Sequence, residues 1–140
     1  MIRNKPKHYL AIAMIFLLLT NSISVISQET DNGEWKAPKE VDQIANPLKG
    51  NIEDTKAGKQ LYKLQCAVCH GDTGKGDGVA GLALNPKPAS FKSEIVQNET
   101  DGALYWKITI GRAPMASYKD LLTEEQRWQL VNYIRTFSKN

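Results

Sequence analysis

Residues 64–78 read LQCAVCHGDTGKGDG. This stretch holds both cysteines of the 140-residue chain, Cys66 and Cys69, and one of its two histidines, His70, directly after the second cysteine. The other histidine, His8, belongs to an N-terminal segment of different character. There Arg3, Lys5 and Lys7 precede an uncharged apolar run, LAIAMIFLLL, which gives way to small and polar residues in TNSISVISQ. That order is the layout of a secretory signal, so the chain is expected to be exported, with an extracytoplasmic, periplasmic location. Residues 1–27 read either as a cleaved signal peptide, which leaves a soluble protein, or as an uncleaved anchor. The anchor reading rests on the absence of charge from residue 9 to 28, about 20 residues, enough to span a bilayer. No cysteine lies near the cleavage region, which excludes a lipoprotein anchor.

Export fixes the redox setting in which CAVCH must be read. A structural disulfide across two intervening residues closes a very small loop and constrains the unfolded chain little. A thioredoxin-like pair needs a strand before it and a helix opening at the first cysteine, whereas KAGKQLYKLQ before the motif reads as helix and the glycine-rich run after it does not. Zinc needs four ligands, and beyond this pentapeptide the exported part of the chain has no Cys and no other His. What remains is covalent haem attachment: Cys66 and Cys69 add across the porphyrin vinyl groups and His70 ligates the iron.

An inventory then narrows the second axial ligand. With His8 in the signal region, a second histidine is missing. Of three methionines, Met1 and Met14 share that region, so Met115, in IGRAPMASY between two helical patterns, is the thioether expected on the iron. Its bland alternative is core filling, which a Gly- and Pro-punctuated loop does not call for.

Charge supplies exclusions. The chain carries 18 Lys and Arg against 15 Asp and Glu. Three of the basic residues are Arg3, Lys5 and Lys7, so 15 basic residues face 15 acidic ones in the remainder, which is formally neutral. Nucleic-acid binding, which wants a clustered basic face, has no support. Lys75, Lys87, Lys92, Lys107 and Lys119 read as scattered surface solvation. The GDTGKGDG cluster is not a phosphate loop, because two residues rather than four separate Gly71 from Gly74-Lys75, and no Ser or Thr follows the lysine. It is not a calcium loop either, since Gly74 and Gly76 occupy positions that need acids. These glycines are read as turns and close backbone approaches beside the haem.

Periodicity places the elements around these fixed points. Residues 28–52 lack sustained periodicity and read as an extended arm or linker, laid against the domain by Trp35. Residues 53–140 form the domain. Its first helix is expected from Asp54 or Thr55, either of which could cap it, to Gln65. A loop follows from Gly71 to Phe91, with one short turn near VAGLAL. The second helix, DGALYWKITI, starts after the cap Thr100 and stops at Gly111. In the last, Thr123 and Gln126 make a capping box ahead of Leu130, Ile134 and Phe137 at helical spacing. No strand is required. So short a folded part buries a marginal core alone, so the chain without haem is expected to be weakly folded.

From about residue 54 to 138 the sequence resembles class I, monohaem cytochromes c of the bacterial periplasmic type. The resemblance is carried by CAVCHG, Met115, Gly58 with Tyr62 on the first helix, and Leu130 with Tyr133 on the last. It implies an all-α, cytochrome c-like fold, with three or more helices around one haem c joined through Cys66 and Cys69 and an iron held by His70 and Met115. It implies that the terminal helices cross, with Gly58 admitting an aromatic residue from the last helix. It also implies that a proline carbonyl, of Pro86 or Pro88, accepts the His70 ring N–H. One departure is that Pro114 precedes Met115 and Ala116 follows it, where many relatives place proline after the methionine.

An iron with both axial positions filled has no place for substrate, so the expected function is one-electron transfer in an exported respiratory or dehydrogenase-linked chain, without enzymatic activity of its own. Expected partners are other redox proteins or a membrane respiratory complex, with membrane anchoring through residues 9–28 in the anchored case. The alternative from another class is a haem enzyme or a gas or redox sensor, in which Met115 leaves the iron open. A haem-free dithiol or zinc module is the third reading.

Overall fold

The computed structural model describes residues 35–139. The expected signal or anchor, residues 1–27, and the start of the arm lie outside the described residues. Among the described residues no helix is long and apolar enough to cross a membrane.

Among the described residues five α-helices carry the fold: α1 (Ile52–Gln65), α2 (Ala67–His70), α3 (Glu94–Gln97), α4 (Asp101–Ile110) and α5 (Glu124–Arg135). Short 3-10 turns occur at Lys39–Gln43, Gly81–Ala83 and Thr136–Lys139. Among the described residues there is no β-strand, only an isolated bridge between Arg112 and Met115. The fold is all-α, as the periodicity requires.

Caps explain most boundaries. Thr123 accepts from the backbone N–H of Gln126 while the Gln126 side chain accepts from the Thr123 N–H, completing the capping box of α5. Thr100 caps α4 through Ala103 N–H, and Gly111 ends it at a positive φ of 66°. The start of α1 differs from expectation. Asn51 is the cap, its Oδ1 accepting from the N–H groups of Glu53 and Asp54, so the helix opens two residues before Asp54. Asp54 and Thr55 were equally plausible as caps by residue type. Asn51 prevails because Gly50, at φ 80°, turns the chain immediately before it.

The largest helix contact is between α1 and α5. A Cβ built on Gly58 would lie 2.5 Å from the carbonyl carbon of Gln129 and nearer still to its oxygen. Gly58 therefore admits the backbone of α5 at Gln129–Leu130, not an aromatic ring as the family pattern implied. The aromatic contact lies one turn further on, where Tyr62 meets Tyr133 edge-on at 5.2 Å between centroids. Tyr62, Leu130 and Val131 are fully buried and centre a core that includes Leu104, Ile108, Trp128, Ile134 and Phe137.

The arm is not simply extended. Lys39–Gln43 form a 3-10 turn, and the Val41 carbonyl presses onto Gly102 of α4. Trp35 packs on Trp106 at 6.3 Å, flanked by Lys107 and Arg112. Further along, Asn132 of α5 accepts from Asn46 Nδ2 at 2.9 Å and donates to the Leu48 carbonyl at 2.6 Å. These contacts follow no periodic pattern, which is why the sequence read as featureless there.

Two substitutions test this frame. Helix propensity alone would favour alanine over Gly58 by about 1 kcal/mol. The overlap with Gln129 outweighs that preference, so Gly58→Ala is expected to lose about 1–3 kcal/mol in urea unfolding of the holoprotein. Asn132→Ala leaves Asn46 and the Leu48 carbonyl without their partner, and trypsin should then cut at Lys39 and Lys49 faster than in the parent.

Candidate haem-binding site

The end of α1 runs into the motif almost without a break. Cys66 N–H bonds to the Tyr62 carbonyl at 2.8 Å, and His70 N–H bonds to the Cys66 carbonyl at 2.9 Å. CAVCH is thus one helical turn. Residues at i, i+3 and i+4 share a helix face, so Cys66, Cys69 and His70 share one. Both thiols are free, with no bond between them. Burial, followed by the charge of Cys69, pushes the Cys66 thiol up to about 12. A thiol so rarely ionised lacks the thiolate that a dithiol oxidoreductase uses, which counts against the redox-pair reading.

The glycine run folds back along this turn. N–H groups of Gly76, Gly78 and Ala80 bond to the carbonyls of His70 (2.8 Å), Cys69 (3.1 Å) and Val68 (2.9 Å). A side chain at Gly78 would lie 2.5 Å from the Val68 oxygen and 2.6 Å from that of Ala67. Gly71, at φ 77°, makes the reversal directly after His70, and its carbonyl accepts the Tyr62 hydroxyl at 2.6 Å. The glycines are structural, as their spacing had suggested.

His70 is held from two sides. Its Nδ1 lies 3.2 Å from the carbonyl of Ala89, and its ring stacks on Phe91 at 4.3 Å and 15°. With Nδ1–H directed at that carbonyl, the Nε2 lone pair is the one left for a metal. Burial lowers the His70 pKa, opposed by the Ala89 contact, and so favours the neutral ring a ligand must be. The acceptor is Ala89, in place of Pro86 or Pro88. The Pro88 ring and carbonyl instead pack against Gly81 and Gly76. A backbone carbonyl has no side-chain signature, so residue type could not point to it.

Met115 is partly buried in the segment joining α4 to α5, its N–H bonded to the Arg112 carbonyl at 2.8 Å. That segment meets the motif's own strand of chain where the Tyr118 hydroxyl donates to the Gln65 carbonyl at 2.9 Å, one residue before Cys66. Arg127 of α5 supports it from below, donating through Nη1 to the carbonyls of Leu122 at 2.6 Å and Lys119 at 3.0 Å. Sequence reasoning passed over Phe91, Tyr118 and Arg127. Arg127 had a readable signal, since 127, 130, 131 and 134 form an i, i+3, i+4, i+7 stripe and an arginine there is placed to be buried.

The donor set fits a haem c. Two unbonded thiols and an imidazole whose Nδ1 is turned onto the Ala89 carbonyl occupy one face of one turn, which is the arrangement that thioether attachment and axial ligation require.

The family described as Cytochrome C oxidase, cbb3-type, subunit III matches residues 53–134. A solved structure from Kuenenia stuttgartiensis, a reducing HAO-like protein complex, is similar at 27% identity and a TM-score of 0.57, covering 67% of this chain. This chain spans 49% of the length of that one, about half. No curated protein matches. The match over residues 53–134, on an all-helical fold built around the CAVCH turn, places the chain in the Cytochrome C oxidase, cbb3-type, subunit III family, with a class I, monohaem cytochrome c-like domain.

Proposed function

We propose that the protein is an exported one-electron carrier, or an electron-transfer subunit, with a single haem c attached through Cys66 and Cys69 and ligated by His70 and Met115. The observation that carries this is the single turn that presents Cys66, Cys69 and His70 together, with His70 Nδ1 turned onto the Ala89 carbonyl. A haem c so ligated passes one electron as its iron changes oxidation state, with no bond to substrate made or broken.

The residues around it have defined tasks. Ala89 and Phe91 fix the ring plane and tautomer of His70. Tyr62 ties α1 to the Gly71 carbonyl just beyond the ligand. Met115 would fill the sixth position and exclude exogenous ligands. Leu64, Val68, Val79 and Leu82, in and after the motif, are 53–79% exposed. Exposed apolar side chains of this kind suit a small, rapidly dissolving contact with a redox partner. The family's name describes a subunit of a cytochrome c oxidase and the similar structure belongs to a complex, which supports a membrane respiratory complex or another redox protein as that partner. Residues 1–27 would direct export to the periplasm and either be removed or remain as an anchor.

Protein exported from a host that matures haem c should show sharp low-spin reduced bands and the weak far-red oxidised band of sulfur on ferric iron. His70→Ala and Cys66→Ala should reduce correctly attached holoprotein to near background, and normal yields from both would overturn the haem assignment. Met115→Ala should abolish the far-red band, lower the reduction potential and permit carbon monoxide binding. An unchanged spectrum would make Met115 a packing residue, whereas a parent spectrum that is high-spin and shifts on adding carbon monoxide would move the function to an open-iron enzyme or sensor.

A further inference from the structure

The segment 111–123 carries Met115, whose N–H bonds to the Arg112 carbonyl within the segment. Its fixed points lie on the C-terminal side. Tyr118 N–H bonds to the Ile108 carbonyl at 3.2 Å, Ser117 Oγ donates to the Thr109 carbonyl at 2.7 Å, and Arg127 Nη1 reaches the carbonyls of Lys119 and Leu122. Arg127 Nη2 adds a bond to the Tyr105 hydroxyl at 2.9 Å and its guanidinium lies over the Tyr105 ring. The bonds of Ser117, Tyr118, Lys119 and Leu122 tie the segment to α4 and α5, and the Arg127–Tyr105 contact joins those two helices.

One side-chain bond runs the other way. The Tyr118 hydroxyl donates to the Gln65 carbonyl, across 53 positions of sequence, and so joins the Met115 segment to the residue preceding Cys66. The Tyr118 ring is partly buried against the core, which limits the orientations from which its hydroxyl can reach. Gln65 ends α1, where carbonyls lack intrahelical partners, so this acceptor is available by geometry.

We propose that Tyr118 is a positioning residue, a clasp whose bond to the Gln65 carbonyl sets how firmly Met115 is retained as the sixth ligand. This deepens the function proposed above and rests on Met115 being that ligand. When Met115 leaves the iron, its segment must move relative to the segment carrying the cysteines. The Tyr118–Gln65 bond spans those two segments and opposes that separation. Arg127 does not span them: it pins the segment's far end to α5, so Tyr118 works from a fixed base.

The test uses the full-length ferric holoprotein and imidazole as a competing ligand, followed by loss of the far-red band or, in variants without it, by the visible spectrum. Imidazole must displace Met115, so its apparent affinity reports the population in which Met115 is detached. Tyr118→Phe keeps the ring and removes only the donor. It is expected to bind imidazole roughly three- to tenfold more tightly, the shift that one hydrogen bond of ordinary net strength produces. In a Met115→Ala background there is nothing to displace, and the same Tyr118→Phe change is expected to leave imidazole affinity unaltered. A purely structural role would move both backgrounds alike. Unchanged affinity in the single variant, or an equal gain in both backgrounds, overturns the clasp. If Met115→Ala itself keeps the far-red band, the ligand assignment fails instead, which is a separate result.

Discussion

The constraint on which the site depends is the approach of the α5 backbone to Gly58. Nothing larger than hydrogen fits between α1 and the Gln129 carbonyl, so the two helices meet at one point and in one register. Four residues beyond Gly58, that register puts Tyr62 against Tyr133, Phe91 and Phe137, with its hydroxyl on the Gly71 carbonyl. Phe91 then stacks on His70. The orientation of the histidine is thus traceable through rigid contacts to a glycine twelve residues upstream. A shift at the helix crossing is transmitted to His70 because tightly packed interiors relax little.

The two sides of the site are held by different means. Around His70 the chain is stitched backbone to backbone, with Gly76, Gly78 and Ala80 donating to His70, Cys69 and Val68 in turn. Such contacts need no side-chain ordering and permit little adjustment. Around Met115 several key anchors are side chains reaching carbonyls: Ser117 to Thr109, Tyr118 to Gln65 and Arg127 to Lys119 and Leu122. Each can be lost without breaking a ladder, and the segment is mostly exposed. Local opening draws on regions with few buried contacts and exposed hydrogen bonds. The His70 side is therefore of rigid construction, and the Met115 side rests on adjustable contacts.

How much of this was legible follows from which forces are written in residue identity. CAVCH, the Thr123–Gln126 box and the Thr100 cap are local signals, with causes lying within four residues, and the structure reproduces the two caps to the residue. The α1–α5 crossing was legible as a pairing through Gly58, Tyr62, Leu130 and Tyr133, but what Gly58 admits was misread. A glycine signals close approach without saying whether backbone or ring arrives. The Asn51 cap, beside Gly50, was a local signal passed over, whereas the Ala89 carbonyl and the contacts of residues 39–51 with α4 and α5 were illegible for a common reason. Each is decided by where a backbone group ends up after distant segments pack, and Ala89 offers no side chain by which to mark it.

Two arginines on α5 show how a small all-helical fold meets its backbone hydrogen-bond needs. Long connections leave many carbonyls without helical or strand partners, and buried ones must still be bonded. Arg127 and Arg135 lie eight residues apart, a little over two turns, and each serves one connection. Arg127 takes Lys119 and Leu122, ahead of α5, while Arg135 takes Gln97 at 2.9 Å and Glu99, between α3 and α4. Arg135 also pairs with Asp101 at 2.7 Å, whereas among the described residues Arg127 has no carboxylate partner and its Nε is buried without an acceptor. A buried cation with only neutral acceptors is the costlier arrangement. It persists here because a planar fork can hold several carbonyls of one turn at once, which a lysine ammonium on a flexible stem does poorly. The costlier arginine lies under the Met115 segment, and the paired one under a connection that carries no proposed ligand. The greater electrostatic cost is thus borne where the fold must hold a loop with no secondary structure of its own.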